Sequence, residues 1–498
     1  MFGRRMRSPP SLGSLLATAI LLSGCALEPF PAEVDCPDSR RNTAGDCCPA
    51  WTSPNGRNCR PRGWTLPDAG SGLGDPGARW VSVAVSGRGE PIAAWTQSTE
   101  TTGHMVVAEA SGGGFALRHP DEALEGSAVQ ADVAAGPDGE ALVAWKSQYP
   151  GDQARVFVSE RAPDGAWTDP ASEQSAFSFL PTAYEPRPIF FPNGDRMVVW
   201  NQWMSTGYGV AVAERPLSGE WKLPADADDV PSQHYLFSNA PTPAVNERGD
   251  ALISWYQSGG ASLLAWQSER FGYGGTFSRP GPDDYLSVPE TPVDSHPIAN
   301  PKPALSPDGH GAVAWTQEDG RGAVLVYLAT RTPEGAWTEP QSVDDALSPL
   351  LGYARCAQIE FARTGDLFVV WYQDTGDGNR VVAAHRGPAG EWIEPGREPT
   401  LLSTPGVEAI FPALAVGPGG SVLAVWSERR EEGWVIAARR RGAEGTEWGE
   451  IEVLSPAGVG TAAQPDAAIG GAGEIAFVGW SQGDGLNARA YFATVGAE

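Results

Sequence analysis

The chain has 498 residues, with 35 Lys plus Arg against 61 Asp plus Glu and a formal net charge of −26. Its 61 Gly and 44 Pro follow no collagen triplet, and 19 Trp set among regular apolar runs exclude a disordered polymer. The acid excess argues against nucleic acid as a partner, because phosphate binding needs a basic surface.

The first segment reads as an export signal. Residues 1–24 hold Arg4, Arg5 and Arg7 and no acid, and an apolar stretch runs from Leu12 to Leu22, too short to span a bilayer comfortably. It ends in Leu22-Ser23-Gly24-Cys25. This resembles the bacterial lipobox, and the resemblance implies that Cys25 is acylated, for example with palmitate, and becomes the mature first residue. Cleavage would remove three arginines and no acid, taking the net charge from −26 to −29. A body so acidic is repelled by an anionic leaflet, so lipid and not surface charge is expected to hold it at the membrane. In the lipoproteins it resembles, Asp after the Cys favours the inner membrane. Here Ala26 stands there, which points to the outer membrane of a bacterial cell envelope.

Four cysteines follow in close succession: Cys36, Cys47, Cys48 and Cys59. In an exported protein they read as two disulfides. A bond between Cys47 and Cys48 would close a strained ring, so Cys36 is expected to pair with one of them and Cys59 with the other. The expected organisation is a signal peptide at 1–24, a lipidated N-terminus and linker at 25–35, a Cys-rich module at 36–62 and a repeat body at 63–498.

The repeat is marked by an apolar run ending in Trp. Eight such residues follow one another at nearly even intervals: Trp95, Trp145, Trp200, Trp255, Trp315, Trp371, Trp426 and Trp480. Before most of them lies a Gly-containing turn (GPDGE, FPNGD, NERGD, SPDGH) preceded by an alternating strand. After each come a polar loop and another strand, such as ARVFVSER or RVVAAHR. A second Trp then arrives at a nearly constant remove: Trp167 after Trp145, Trp221 after Trp200, Trp337 after Trp315, Trp392 after Trp371 and Trp448 after Trp426. Phe277 takes its place in the fourth copy, after Trp255. Four short strands in every repeat, with no helical period, predict an all-β, eight-bladed propeller of four-stranded antiparallel blades. The eighth copy has only three strands, and Gly63-Trp64-Thr65-Leu66-Pro67 matches the missing fourth. The N-terminal segment is therefore expected to complete the last blade, which would otherwise leave a strand edge unpaired. An aromatic at one fixed place in every blade reads as blade-to-blade packing. The Gln two positions after most of these Trp (Gln97, Gln257, Gln317, Gln373, Gln482) reads as a structural hydrogen-bond partner.

The turn before the second Trp, as in Ala162-Pro163-Asp164-Gly165-Ala166-Trp167, resembles the Asp-box of sialidase-like propellers. The Gly, the Trp and the place between third and fourth strands agree; the spacing departs, and the Asp is missing from most copies. The likeness is to the blade only, and no sialidase active-site residue carries over. In plan the chain is also similar to bacterial outer-membrane lipoproteins built as eight-bladed propellers.

Variable loops on a rigid ring are where binding normally resides. The two-to-three loops and the links between blades are long and irregular, and with the strand ends beside them they hold Tyr149, Tyr184, Trp203, Tyr208, His234, Tyr235, Tyr285, His296, Tyr353 and Arg355. These residues form the candidate binding face. The six His make no metal-ligand pair, and there is no nucleophile elbow or phosphate loop, so no catalytic residue and no cofactor are assigned. Asp374, Asp377 and Asn379 have the flavour of a calcium loop without its terminal Glu. The expectation is a monomeric, membrane-anchored module that binds a protein or glycan without catalysis. The alternative is a sialidase-like carbohydrate-active hydrolase, which would gather two opposed carboxylates or an Arg cluster in the central funnel.

Overall fold

The computed structural model describes residues 52–55, 58–61, 64–111, 114–151, 153–204, 207–232, 237–259, 262–288, 301–348, 352–393, 399–443, 447–472 and 474–496. Cys25, Cys36, Cys47, Cys48, His234, Tyr235 and His296 lie outside them. Cys59 falls in a short strand, Asn58–Pro61, that pairs with Thr52–Asn55.

Eight antiparallel sheets follow in order. Blade 1 is typical: Ala78–Val85, Pro91–Ser98, Gly103–Ser111 and Gly114–Arg118, each strand paired with the next. The first strands of blades 2 to 8 are Ser127–Ala135, Ala183–Phe190, Ser238–Val245, Lys302–Leu305, Ala354–Phe361, Ala409–Val416 and Ala462–Gly470. Each first strand touches that of the next blade, and the eighth touches the first, so the sheets close into a ring with their first strands innermost. The turn glycines do what the pattern requires. Gly194 and Gly365 sit at φ 85 and 86°, where a side chain would be strained, and donate back to Phe191 and Ala362 carbonyls.

Among the described residues, five blades have four strands and three have three. In blades 3 and 4 the fourth strand shrinks to single bridges, Glu214 with Lys222 and Trp266 with Tyr285. In blade 8 it comes from the N-terminal side. Thr65 and Thr494 exchange backbone hydrogen bonds of 2.7 and 3.2 Å, and Leu73 N–H donates to the Ala490 carbonyl. The ring is therefore closed as its repeats predict.

All eight marker Trp are wholly buried. Each indole N–H donates to the side chain two positions on: Gln97, Ser147, Gln202, Gln257, Gln317, Gln373, Glu428 and Gln482, at 2.8–3.1 Å. A polar N–H so deep in the core requires that partner. The backbone opposite the Trp is less regular than the pattern suggests. In seven of the described first strands, two residues face the single Trp in a β-bulge. Its first residue lies in the left-handed region: Trp80, Gln130, Glu185, Ala240, Cys356, Phe411 and Gln464, with φ between 51 and 57°. Each non-glycine residue held there costs on the order of 1–2 kcal/mol, which the packed indole opposite must offset.

Candidate functional site

First strands enter the ring from the face that carries the two-to-three loops and the links between blades. The bulges therefore sit near the mouth of the central funnel on that face. One step deeper, the residue after each of these bulges is Ser82, Asp132, Arg187, Thr242, Gln358, Ala413 or Asp466, and in blade 5 Lys302, paired with Ala314, opens the described first strand. Most are polar, and most are buried.

Their contacts run from blade to blade. Ser82 Oγ donates to Asp132 Oδ1 at 2.7 Å, and Arg187 Nη1 meets Asp132 Oδ2 at 3.2 Å. Asp466 accepts from the Val83 N–H at 2.9 Å, and Glu360 accepts from the Val416 N–H at 2.7 Å. An innermost strand has backbone donors with no further strand to take them, and these carboxylates take them instead. Burial pushes the Asp466 carboxyl up to about 7, with the charge of Asp132 adding to the rise and the Val83 bond opposing it. Burial likewise holds Glu360 well above the usual carboxylate range. The funnel thus gathers acids and an arginine, as a hydrolase would. Asp132 and Asp466 are each only 2% exposed, however, and are spent on strand edges.

Nearer the surface, blade 3 departs from its sister repeats. At the tip of its second hairpin Trp203 faces Tyr208 across the ladder. The second-strand position is Ser98, Gln148, Ser258, Glu318, Asp374, Arg429 or Gly483 elsewhere. Trp203 meets Tyr208 edge-on at 4.9 Å between centroids, Tyr184 lies 5.7 Å from Tyr208, and Phe237, 55% exposed, lies 6.1–6.2 Å from both Tyr208 and Trp203. Lys146 of blade 2 places its ammonium 4.6 Å from the Tyr184 ring. Burial lowers its pKa to about 8, and the charge of Glu185 opposes that fall. Glu185 is itself held by Asn201 Nδ2 at 3.0 Å and by the Ala240 N–H at 2.9 Å. Three of the sequence-predicted face residues, Tyr184, Trp203 and Tyr208, are thus one cluster. Phe237 belongs to it and was not expected; a lone Phe in a long link carries no signal of its own.

The remaining predicted residues are dispersed. Tyr149 packs over Gly126 with its hydroxyl buried, and burial raises it to about 12. Tyr285 is a packing residue, edge-on to Trp266 at 5.9 Å. Tyr353 is 48% exposed and carries the Arg355 guanidinium 5.6 Å above its ring, on blade 6. Asp374 and Asp377 serve their own hairpin turn: Asp374 accepts from the Gly376 N–H, and Asp377 from Thr375 and Arg380. Among the described residues no group of three His, Cys, Asp or Glu is disposed to hold a metal ion. Cys356 is a free, buried thiol that burial pushes up to about 12, which keeps it protonated and inert.

No family model matches the chain, and no curated protein matches it. Among solved structures it is similar to a Hadza microbial sialidase, with 13% identity over 70% of this chain and 73% of that one and a TM-score of 0.37. It is similar to an ulvan lyase bound to an oligosaccharide, with 10% identity over 70% and 89% and a TM-score of 0.44. It is also similar to an α-L-arabinofuranosidase of Fusarium graminearum, with 11% identity over 87% and 96% and a TM-score of 0.38. At such identities the likeness concerns the fold alone.

Proposed function

We propose that this chain is an exported, lipid-anchored protein of the bacterial envelope whose propeller binds a glycan or protein through its loop-bearing face, without catalysis. The observation that carries the reading is the aromatic cluster of Trp203, Tyr208, Tyr184 and Phe237. Seven blades place a non-aromatic residue where blade 3 has Trp203, and the exposed ring of Phe237 continues the patch. Large rigid rings with one wet edge gain affinity at small entropic cost, which suits a stacking surface. The hydrolase reading draws on Asp132, Asp466 and Arg187. It is weakened by their burial, since an acid pair must reach both sides of a sugar.

A glycan array probed with the wild-type protein and with Trp203→Ala tests the binding reading. Glycans bound by the first and lost by the second support it. No glycan bound would make protein partners the class to pursue by pull-down. Binding unaltered by Trp203→Ala and Tyr208→Ala would remove the site. Anchoring rests on Leu22-Ser23-Gly24-Cys25: Cys25→Ala should abolish palmitate incorporation and leave the protein in the soluble fraction.

A further inference from the structure

Toward the outer edge of the first blades, one contact recurs from blade to blade. A glutamate of the third strand stands opposite the residue three positions before the marker Trp: Glu109 opposite Ile92, Glu160 opposite Leu142 and Glu214 opposite Met197. The second Trp of the following blade donates its indole N–H to that carboxylate, Trp167 to Glu109 at 2.6 Å and Trp221 to Glu160. In blade 4 the Trp is replaced by Phe277, and the glutamate before it is Glu214. Phenylalanine is one ring smaller and has no N–H to give. Among the described residues Glu214 holds Arg270 through Oε1, and no hydrogen bond or ion pair engages its Oε2.

A cavity of ≈ 510 Å³ lies at this place, between blades 3 and 4, and both Glu214 and Phe277 line it. Its apolar wall is Phe277 with Val212, Leu223, Pro224 and Pro231. Val212 and Phe277 pack on one apolar cluster, as Val158 and Trp221 do one blade earlier. The Phe ring thus keeps the place of the Trp without filling it. Two cations, Lys222 and Arg279, and two acids, Asp228 and Asp229, also line the cavity and are exposed. Arg279 Nη2 donates to the carbonyls of Asp228 and Val230 at 2.6 and 2.7 Å, which ties the link after blade 3 to blade 4.

We propose that this cavity binds an indole ring, that of free tryptophan or of a tryptophan side chain on a peptide. The ring lies against Phe277 and the aliphatic wall, and its N–H donates to Glu214, as those of Trp167 and Trp221 donate within the propeller. The mixed charges at the mouth suit the ammonium and carboxylate of the free amino acid. The site stands apart from the aromatic cluster: Tyr208 and Glu214 lie toward opposite ends of the strand Tyr208–Arg215.

Calorimetric titration of the full-length protein in detergent with L-tryptophan, and separately with N-acetyl-tryptophanamide, tests it. We expect one site per chain. Tryptophan methylated at Nε1, which has no ring N–H, should bind about tenfold or more weaker, and so should phenylalanine. Phe277→Trp, which restores the residue of the sister blades, should weaken tryptophan binding about tenfold or more while leaving the melting temperature unchanged or higher. Tryptophan bound more tightly than its uncharged amide assigns the free amino acid, and the amide bound as tightly or more so assigns a side chain on a peptide. Binding of neither, methylated tryptophan bound as tightly as tryptophan, or binding that survives Phe277→Trp overturns the proposal.

Discussion

The indole N–H of Trp64 donates to Glu452 Oε2 at 2.9 Å, joining two residues 388 positions apart. Trp64 belongs to the strand that completes blade 8, and Glu452 to the outer strand of blade 7, Glu452–Val453. Arg440 clasps Glu452 at 2.6 Å and lies 5.6 Å above the Trp64 ring. Chain closure and blade-to-blade packing thus meet in one side chain. Trp167 to Glu109, at 2.6 Å, repeats the contact between blades 2 and 1.

Trp64→Ala should therefore destabilise the whole ring, not only its edge. The loss of a half-buried indole and its bond should cost about 2–4 kcal/mol, at the lower part of the range for large aromatic truncations. Denaturant unfolding measures it, and a variant with unchanged midpoint would show the closing strand to be dispensable.

Gln202 takes the Trp200 indole proton at 3.0 Å and donates to the Leu180 carbonyl at 3.0 Å. Gln202→Leu would leave the buried Trp200 N–H without an acceptor and remove the bond to the more exposed Leu180, at about 1–3 kcal/mol. Gln202→Glu keeps the acceptor but turns a carboxylate toward a carbonyl, so it should also destabilise. Blade 7 tolerates Glu428 because Thr404 supplies N–H and O–H donors to it. Urea midpoints for the two variants check this.

Asp466 imposes a pH dependence of definite sign. Its folded pKa, about 7, lies above the ordinary value of 3.8. Between those values the folded protein holds a proton that the unfolded chain has lost. Stability from this group is greatest below about pH 4, falls as pH rises to about 7, and is flat above, with an upper bound of about 4 kcal/mol. Asp466→Asn should thus be more stable than wild type at about pH 8, with the gap closing by about pH 4. A gap that does not change with pH would refute the assignment.

Lys146 is one of three lysines in the chain. With a pKa near 8, it should acylate with a midpoint about two pH units below that of an ordinary lysine amine, as followed by mass spectrometry of labelled peptides. Because burial is the main cause, Tyr184→Ala should raise the midpoint by opening the amine to water.

Much of the ring is legible in the residues. The marker Trp, the Gly of the turns and the displaced Trp64-Thr65 pair are local, repeated signals, and the structure uses each of them. The Ser that takes a third-strand N–H is equally repeated, in Ser178, Ser232, Ser287, Ser348, Ser403 and Ser455. It gives no distinct signal beforehand because Ser is common in links. The bulges leave a fainter trace, a Pro after the strained residue in Glu185-Pro186, Ala240-Pro241, Phe411-Pro412 and Gln464-Pro465, where an unpaired position tolerates a missing N–H.

The candidate sites are only partly visible in this way. Tyr285 and Tyr353 look alike as loop tyrosines, yet one packs on Trp266 and the other stands in solvent beside Arg355.

By itself the sequence determined how many blades form, where each turns and how the circle shuts, because those depend on spacing along one strand or hairpin. Only the tertiary structure decided that Asp466 caps Val83, that Lys146 rests on Tyr184 and that Trp167 binds Glu109. Each of these pairs joins different blades, and what a side chain meets there depends on the register in which two separately formed sheets are pressed together.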